Sequence, residues 1–378
     1  MISFWEKLSF VKADFIVVGG GITGLSAAIS LRERHPGKEI ILLERGIFPS
    51  GASTKNAGFA CFGSLTEILA DLKRIEANEL LTLIESRRKG LSKLKKRLGK
   101  SEIDFQQLGG YELISNKEIK ALDYMESINK ILFPLFGEPV FKLKNKYIGK
   151  FGFNSAYVKS LVFNPFEGQL DTGKLMKALI RKAESEKIAI YTGAEVSYIE
   201  QGGKGVEIRV KNNFTENLIF KSKKALICTN AFTKKLFPKV DLKPGRGQVL
   251  VTEPIKDLPF KGTFHFDEGF YYFRNFKNRI IFGGGRNLDF KAETTSKIAT
   301  TQKIQEDLAA KLKEIILPAK PFRIAHSWAG IMAFGKNKKP IVKSVSPDIA
   351  LAVRLGGMGV AIGTNIGEEG AALISKDH

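Results

Sequence analysis

A short apolar strand that runs into a glycine cluster is the feature that most constrains this chain. The strand covers Asp14 to Val18 and ends in the sequence GGGITG. An apolar-periodic segment follows, with Leu25, Ala28 and Ile29 at helical spacing, and then a second apolar strand, Ile40 to Leu43. The order strand, glycine turn, helix, strand predicts a βαβ unit at the start of the chain.

The glycine spacing predicts a dinucleotide site in this unit. Gly19 allows a tight turn, Gly21 lets the backbone approach a pyrophosphate, and Gly24 lets helix and strand pack closely. The helix N-terminus supplies free N–H groups for the phosphates. Glu44 ends the second strand, where a carboxylate accepts the ribose hydroxyls and repels a 2′-phosphate. NADP is therefore disfavoured, whereas NAD and FAD both remain open.

Two further glycine-rich segments suggest a long cofactor. The segment GASTKNAGF, residues 51–59, consists of small and polar residues that permit a backbone to wrap a ligand closely. Near the end of the chain, residues 356–371 form a second glycine turn that opens a helix. A cofactor that contacts both turns must be extended.

Composition excludes several other classes. The 378 residues are 43% hydrophobic and 26% charged, which is ordinary for a globular protein, and no apolar run reaches the about 18 residues of a membrane span. The N-terminus lacks a signal-peptide pattern, so we expect a cytoplasmic protein. Two cysteines and four scattered histidines favour neither disulfides nor a metal site. The net charge of +21 indicates either an acidic partner such as RNA or a compositional bias of the surface.

The order of the motifs resembles the FAD-dependent D-amino-acid oxidase, glycine oxidase and sarcosine oxidase superfamily. The matching segments are VVGGGITGLSAA, LLERG, GASTKNAGF, TNAF, RGQVLVTEP, GFYYFR, RIIFGGGR, WAGI and GGMGVAIG. Within it, the chain is most similar to the γ-glutamylputrescine-oxidase-like branch. The resemblance implies an α/β fold in which a Rossmann-like FAD-binding domain is interleaved with an α+β substrate domain built on an antiparallel sheet.

The same resemblance implies which residues hold FAD. The pyrophosphate would lie at the first glycine turn, the adenosine at Glu44, Arg45 and Val196, the flavin beside residues 53–58, and its pyrimidine edge at the C-terminal turn. The implied residues are Gly19, Gly21, Ile22, Thr23, Gly24, Glu44, Arg45, Ser53, Thr54, Lys55, Asn56, Ala57, Gly58, Val196, Thr229, Asn230, Gly357, Met358, Gly359 and Val360. Residues 229–378 contain no cysteine, so the cysteinyl flavin of one branch has no candidate here and we expect noncovalent FAD.

The substrate side departs from the family pattern. Glycine oxidases carry an arginine after W-A-G-x that clamps the substrate carboxylate, and this chain has Met332 there. Met332 therefore argues against a simple α-amino acid held in that way. Tyr271 matches a substrate-side tyrosine, while Tyr272 and Arg274 lie on the opposite strand face, and Lys55 lies near the flavin. These four positions, Tyr271, Arg274, Met332 and Lys55, are the pocket candidates, and no catalytic base is evident.

Strand-like segments at both ends of the chain predict discontinuous domains. We assign residues 12–90, 160–232 and 322–378 to the FAD-binding domain, and residues 91–159 and 233–321 to the substrate domain. A turn is predicted at Asn212 and Asn213, between two strands.

Three functions remain open. The first is an FAD-dependent oxidoreductase that oxidises the C–N bond of a small-molecule amine or an N-substituted amino acid, with oxygen or another electron acceptor. The second is a tRNA wobble-uridine side-chain oxidase, suggested by the basic stretch from Arg87 to Lys100, although a solvated basic helix face explains that stretch better. The third is a non-catalytic flavin-binding subunit of a larger dehydrogenase.

Overall fold

The computed structural model describes residues 2–211 and 218–376. The predicted turn at Asn212 and Asn213 lies outside the described residues. The α-helices are α1 Phe4–Ser9, α2 Ile22–Arg34, α3 Leu65–Leu72, α4 Ala77–Leu98, α5 Met125–Phe136, α6 Tyr147–Phe151, α7 Thr172–Ser185, α8 Gln302–Lys311 and α9 Gly359–Ile374. The strands are β1 Lys12–Val18, β2 Ile40–Leu43, β3 Phe59–Ala60, β4 Gly110–Ile114, β5 Lys142–Leu143, β6 Ser160–Asn164, β7 Gly168–Gln169, β8 Ala189–Tyr191, β9 Glu195–Gly202, β10 Gly205–Lys211, β11 Leu218–Ile227, β12 Lys243–Thr252, β13 Thr263–Phe266, β14 Tyr271–Phe276, β15 Arg279–Gly284, β16 Ile324–Phe334, β17 Ile341–Ser346 and β18 Ile349–Val353.

The first large sheet has the strand order β17-β18-β11-β1-β2-β8, with β10 and β9 attached beyond this path through β11. Strands β8, β2, β1, β11 and β18 are parallel neighbours. Strand β2 and the second half of β1 are buried on both faces, as continuous apolar runs in parallel sheets are. The predicted βαβ unit is confirmed in β1, α2 and β2.

Helices cover one face of this sheet. Helix α2 is buried from Ile22 to Leu31, and it packs against α9 of the C-terminal segment, which also contacts α4. The apolar side chains between these helices and the sheet form one continuous core. A second core lies on the opposite face, where β9 and β10 fold over. The two ends of the chain therefore build one domain.

The second large sheet has the order β16-β12-β15-β14-β13-β4-β6-β5 and is antiparallel except where β13 meets β4. Its outer face packs on a phenylalanine-rich core with α8, and Phe264, Phe273 and Phe282 are fully buried there. Its inner face turns toward the first domain. The predicted fold class, a Rossmann-like domain interleaved with an antiparallel-sheet domain, is confirmed.

The strand pairing moves the domain boundaries that the sequence predicts. Strands β6 and β16 pair within the second sheet, so residues 160–164 and 324–334 belong to the substrate side rather than the FAD-binding side. Residues 91–98 complete helix α4, which packs on α9 of the first domain. The boundaries differ because β6 and β16 lie directly beside the sequence segments that enter the first domain. Among the described residues, no helix is long and apolar enough to cross a membrane.

Candidate active site

The first glycine turn connects β1 to α2. Gly19 has φ +109° and its N–H donates to the Leu43 carbonyl at 2.8 Å, which joins the turn to the end of β2. A Cβ on Gly24 would lie 1.8 Å from the Gly19 carbonyl oxygen, and a Cβ on Gly21 would lie 2.8 Å from Ser53 Oγ. Gly24 therefore permits the packing of the helix on the turn, whereas Gly21 keeps the approach to the helix N-terminus open.

Glu44 is buried at the end of β2 and braces this turn. Its Oε2 accepts the Gly20 N–H at 2.8 Å and its Oε1 accepts the Gly46 N–H at 3.0 Å. The neighbouring Arg45 places its guanidinium 3.7 Å from the ring centroid of Phe232. A fixed carboxylate and a fixed planar cation thus face the same end of the cavity described below.

The loop at residues 51–58 is docked between the two sheets by side chains from the second sheet. Trp328 Nε1 donates to the Lys55 carbonyl at 2.9 Å. Arg274, which is buried, donates to the carbonyls of Ala57 and, at 3.0 Å, Leu170. The loop conformation is therefore set by contacts made far away in sequence.

The C-terminal turn precedes α9. Gly356 and Gly357 have φ +59° and +85°, and Asn230 Oδ1 accepts the N–H groups of Arg354 and Leu355 just before them. The N-terminus of the 16-residue helix α9 then opens toward the cavity, where its free N–H groups and partial positive charge favour negative charge.

A single cavity of about 570 Å³ connects these turns to the inner face of the second sheet. Most of the predicted cofactor residues line it: Gly19, Gly21, Ile22, Thr23, Glu44, Arg45, Ser53, Lys55, Asn56, Ala57, Val196, Thr229, Asn230, Gly357, Met358, Gly359 and Val360. Gly24, Thr54 and Gly58 lie behind this lining. Met332 and Lys55, two of the four pocket candidates, also line the cavity.

Tyr271 and Arg274 do not line the cavity. The Tyr271 ring lies on the outer face of the sheet, stacked on Phe266 with centroids 4.9 Å apart, and its hydroxyl donates to Asp307 at 2.8 Å. Tyr272, on the opposite face of β14, lines the cavity instead. Arg274 shares the face of Tyr272, but its guanidinium donates hydrogen bonds to the backbone carbonyls of Ala57 and Leu170. Tyr271 and Tyr272 thus lie on opposite faces of β14, and it is Tyr272 that faces the cavity.

One register row crosses the inner face of the second sheet. The pairing Glu112–His265–Tyr272–Gly283–Val249–Trp328 runs through strands β4, β13, β14, β15, β12 and β16. Tyr272 lies over Gly283, where any Cβ would come within 2.7 Å of its ring. Burial raises the pKa of Tyr272 to about 12, so its hydroxyl remains protonated in this row.

Glu112, at one end of this row, is a buried carboxyl group. Its carboxylate accepts hydrogen bonds from the hydroxyl and the N–H of Thr66. Burial raises the pKa of Glu112 to about 7, and the hydrogen bonds from Thr66 and Ser64 offset part of that shift.

His265, next in the row, lies beside two other buried groups. Its Nε2 is 3.7 Å from Glu167 Oε2, and Cys61 Sγ, Glu167 and His265 place one potential metal ligand each within 4.8 Å. Burial opposes a charge on His265, but the neighbouring Glu167 leaves its pKa raised. Burial also raises the pKa of the Cys61 thiol. A protonated thiol is a poor metal ligand, so we interpret the group as a histidine–carboxylate pair beside a neutral cysteine.

A group of charged residues lines the cavity near α3. Lys338 Nζ lies 3.1 Å from Glu67 Oε1 and 2.7 Å from Asp71 Oδ1, and all three residues line the cavity. Burial alone would raise the pKa of Glu67, and the Lys338 and Arg87 cations lower it below its usual value. Because Lys338 lies in the β16–β17 connection, this ion pair joins the second sheet to the helices of the first domain.

Arg286 and Tyr272 line the cavity but were not among the pocket candidates, as is also true of Glu67, Asp71, His265 and Lys338. Arg286 follows the glycines that end β15, and its guanidinium lies over the rings of Phe334 and Phe290, at 4.1 and 5.2 Å from their centroids. Its Nε is buried without a hydrogen-bond partner, and burial lowers its pKa. The sequence signal for Arg286 was a cation directly after the run GGG. That arginine was treated only as the last residue of the family motif RIIFGGGR.

The basic stretch from Arg87 to Lys100 is largely committed to the fold. Arg87 is buried and donates to the Phe62 carbonyl, while Lys89, Lys93 and Arg97 form ion pairs with Glu85, Glu368 and Glu33. Acidic neighbours therefore partly neutralise the positive charge of the basic face of α4.

The chain is similar to known oxidoreductases over nearly its whole length. Residues 14–373 match the family described as FAD dependent oxidoreductase. The probable oxidoreductase OrdL of Rhizobium meliloti strain 1021 is 25% identical over 94% of this chain and 82% of its own length.

Solved structures share the fold. An L-proline dehydrogenase from P. horikoshii has a TM-score of 0.76 at 21% identity, covering 96% of this chain and 93% of its own. A glycine oxidase from Geobacillus kaustophilus has a TM-score of 0.76 at 18% identity, covering 97% and 95%. With its two glycine turns meeting at one cavity and a family match from residue 14 to residue 373, this chain belongs to the FAD-dependent oxidoreductases of the D-amino-acid oxidase family.

Proposed function

We propose that this protein oxidises the C–N bond of a small primary or secondary amine, or of an N-substituted amino acid, by hydride transfer to flavin N5, giving an imine that hydrolyses. The observation that carries the proposal is the single cavity that joins the dinucleotide turn to the inner face of the second sheet. A cofactor in that cavity and a small molecule on the sheet would be adjacent. Bound FAD supplies the two-electron acceptor.

The residues present fit FAD. Gly21 lines the cavity without a side chain, and a Cβ there would lie 2.8 Å from Ser53 Oγ, which accepts the Ile22 N–H at 3.0 Å. Glu44 and Arg45 would hold the adenosine end, and the turn at Gly357 to Val360 with the α9 N-terminus would face the flavin end. A helix N-terminus there stabilises negative charge on the cofactor.

Noncovalent binding is part of the proposal. Cys61 and Cys228 both line the cavity, and burial raises the pKa of each thiol. A buried protonated thiol is a weak nucleophile, so neither cysteine is suited to tether a flavin. Acid precipitation should release intact FAD into the supernatant, and yellow colour that stays with the denatured chain would contradict this.

The substrate end can orient an amine without an obligatory base. Tyr272 and Met332 line this end, and the register row places His265 beside Tyr272. The Tyr272 hydroxyl can donate to or accept from a substrate, because no described residue is its hydrogen-bond partner. Glu67, Asp71 and Lys338 form a charged part of the same cavity lining.

An anaerobic screen tests the proposed function. FAD-loaded protein is mixed with primary amines, secondary amines and N-alkyl amino acids, and the loss of oxidised flavin absorbance is recorded. Selective reduction by one class, with formation of the expected carbonyl product, supports the proposal. If dithionite reduces the flavin and no amine does, the chain acts as a flavin-binding subunit instead. Adding tRNA tests the wobble-uridine alternative, which the ion pairs of α4 disfavour.

A further inference from the structure

We propose that Arg286 is a carboxylate-binding residue, and that the substrate is an amine whose carboxylate lies several bonds from the oxidised carbon. This inference rests on the proposed function and names its substrate class. The proposed carboxylate site is at the turn that follows β15, and it is distinct from the β16 position occupied by Met332.

Arg286 is a cation held in place without an anionic partner. Its guanidinium lies over the rings of Phe334 and Phe290, and no described residue forms a side-chain hydrogen bond or an ion pair with it. The nearby Glu293 is committed elsewhere, because its two carboxylate oxygens accept from Arg246 at 2.8 and 2.6 Å. An arginine that is stacked, partly desolvated and unpaired in a cavity wall is preorganised for a bidentate anion.

Two glycines of β12 locate Arg286 relative to Met332. A Cβ on Gly245 would lie 3.0 Å from Arg286 Cζ, and a Cβ on Gly247 would lie 2.8 Å from Met332 Cε. Residues i and i+2 of a strand share one face and lie about 7 Å apart. The guanidinium is therefore one strand repeat beyond the Met332 methyl group.

Met332 in turn contacts the C-terminal turn. Its Sδ lies 3.4 Å from the position of a Cβ on Gly357. Met332 therefore lies against the C-terminal turn, while the Arg286 guanidinium lies over β12 at Gly245, one strand repeat from the Met332 methyl group. A carboxylate bonded directly to a carbon reacting beside Met332 would not reach this cation, whereas one several bonds away would.

The aromatic neighbours explain why an arginine suits this position. Planar guanidinium groups stack on ring faces and keep their N–H edges available for carboxylate oxygens. Phe334 and Phe290 also reduce hydration of the site, which strengthens a charged pair formed there.

Binding of unreactive carboxylates tests the proposal without turnover. Acetate, butyrate, hexanoate and benzoate are titrated into the FAD-loaded protein, and dissociation constants are read from the flavin visible spectrum. We expect Arg286→Met to weaken hexanoate and benzoate on the order of 100-fold. Arg286→Lys keeps the charge but loses the two parallel N–H donors of the guanidinium. Its dissociation constants should lie between those of the parent and those of Arg286→Met. The exposed Arg323→Met is the matched control and should leave binding unchanged.

Flavin reduction by an N-methyl amino acid series tests the spacing. Sarcosine, N-methyl-β-alanine, N-methyl-4-aminobutyrate and N-methyl-6-aminohexanoate are compared with N-methylalkylamines of matching length. Arg286→Met should lower the second-order reduction rate for the longer acids and leave the carboxylate-free amines unchanged. An equal loss for acids and amines, or fastest reduction by sarcosine in the parent, overturns the inference.

The two proposals fail in different ways. If amines reduce the flavin and Arg286→Met affects no carboxylate, the proposed function stands and the assignment of Arg286 is wrong. If no amine reduces the flavin but carboxylates still depend on Arg286, the anion site stands and the proposed oxidation is wrong.

Discussion

The two ends of the cavity are built in different ways. At the dinucleotide end, the lining comes from short turns that directly follow strands, and the important groups are backbone atoms at Gly19, Gly21 and the α9 N-terminus. At the substrate end, the lining comes from side chains on separate strands that meet through cross-strand register, as Tyr272 and Met332 do. The first end depends on local geometry and the second on long-range pairing.

The loop at residues 51–58 joins the two constructions. Its backbone faces the cofactor end, but Arg274 and Trp328 of the second sheet hold it in place. A residue that the sequence assigns to the substrate pocket therefore supports the cofactor end. Arg274 therefore affects the cofactor end indirectly, by holding the backbone of the 51–58 loop in place.

Gly21→Val should give the largest effect, because it tests the backbone-built end directly. Gly21 has φ −79°, so the backbone accepts an L side chain there, but the Cβ would lie 2.8 Å from Ser53 Oγ, so valine would displace Ser53 as well as occupy space at the cavity lining. We expect a folded protein that retains no FAD after gel filtration, as judged by the absorbance ratio of flavin to protein.

Gly37→Val is the control for this substitution. Gly37 is exposed, and a Cβ there would contact nothing within 4 Å. Full FAD content in folded Gly21→Val would contradict the assignment of the turn to the pyrophosphate.

Arg274→Met should come next in size, since it breaks the link between the two ends. The substitution leaves the buried carbonyls of Ala57 and Leu170 without their donors, at a cost of about 1–3 kcal/mol each. We expect the free energy of unfolding to fall by about 4 kcal/mol, with weaker FAD binding, in urea titrations of apo and holo protein. Arg34→Met, at an exposed position, is the control. Unchanged stability combined with altered amine affinity would return Arg274 to the substrate pocket.

The sequence predicted the dinucleotide end because its spacing is local. The motif glycines Gly19, Gly21 and Gly24, the preceding strand and Glu44 define that end without reference to any other part of the chain. The substrate end could be predicted only in part, because the pairing of β12, β14 and β15 brings Tyr272 and Arg286 to the same cavity. Alternation within β14 separates Tyr271 from Tyr272, but it does not say which face is covered by the first domain.

Domain boundaries were difficult for the same reason. Strands β6 and β16 each lie beside sequence that enters the first domain, and their own apolar content suits either sheet. Their assignment depends on partners such as Glu112 for Val162 and Val249 for Trp328, which lie tens of residues away.

Glu112 provides a pH test of the side-chain-built end. Burial raises its pKa from 4.5 to about 7, so the folded state holds the proton more tightly than the unfolded chain. Its contribution to stability is full below pH 4.5 and is lost as the pH rises through about 7. That loss corresponds to about 3 kcal/mol.

Glu112→Gln should therefore flatten the pH dependence of unfolding. Between pH 5 and pH 8, the free energy of unfolding of the parent should fall by about 2–3 kcal/mol more than that of the variant, in urea titrations. The amide can still accept from Thr66, which keeps the packing. Glu253→Gln, at an exposed position, should follow the parent. Identical pH profiles for parent and Glu112→Gln would show that Glu112 titrates normally.

The adjacent tyrosines give the smallest effect and the sharpest test of which face meets the cavity. Tyr271→Phe removes a hydrogen bond to the Asp307 carboxylate behind the sheet, so we expect about 2 kcal/mol less stability and unchanged ligand binding. Tyr272→Phe removes a cavity hydroxyl that no described residue bonds, so stability should stay within about 0.5 kcal/mol. Its effect should appear instead as a shifted flavin spectrum and a changed dissociation constant for hexanoate. The two variants are controls for each other, because each deletes one hydroxyl from one strand. If Tyr271→Phe changed ligand affinity and Tyr272→Phe changed only stability, the inner face of β14 would have to be reassigned, and with it the register row that builds the substrate end.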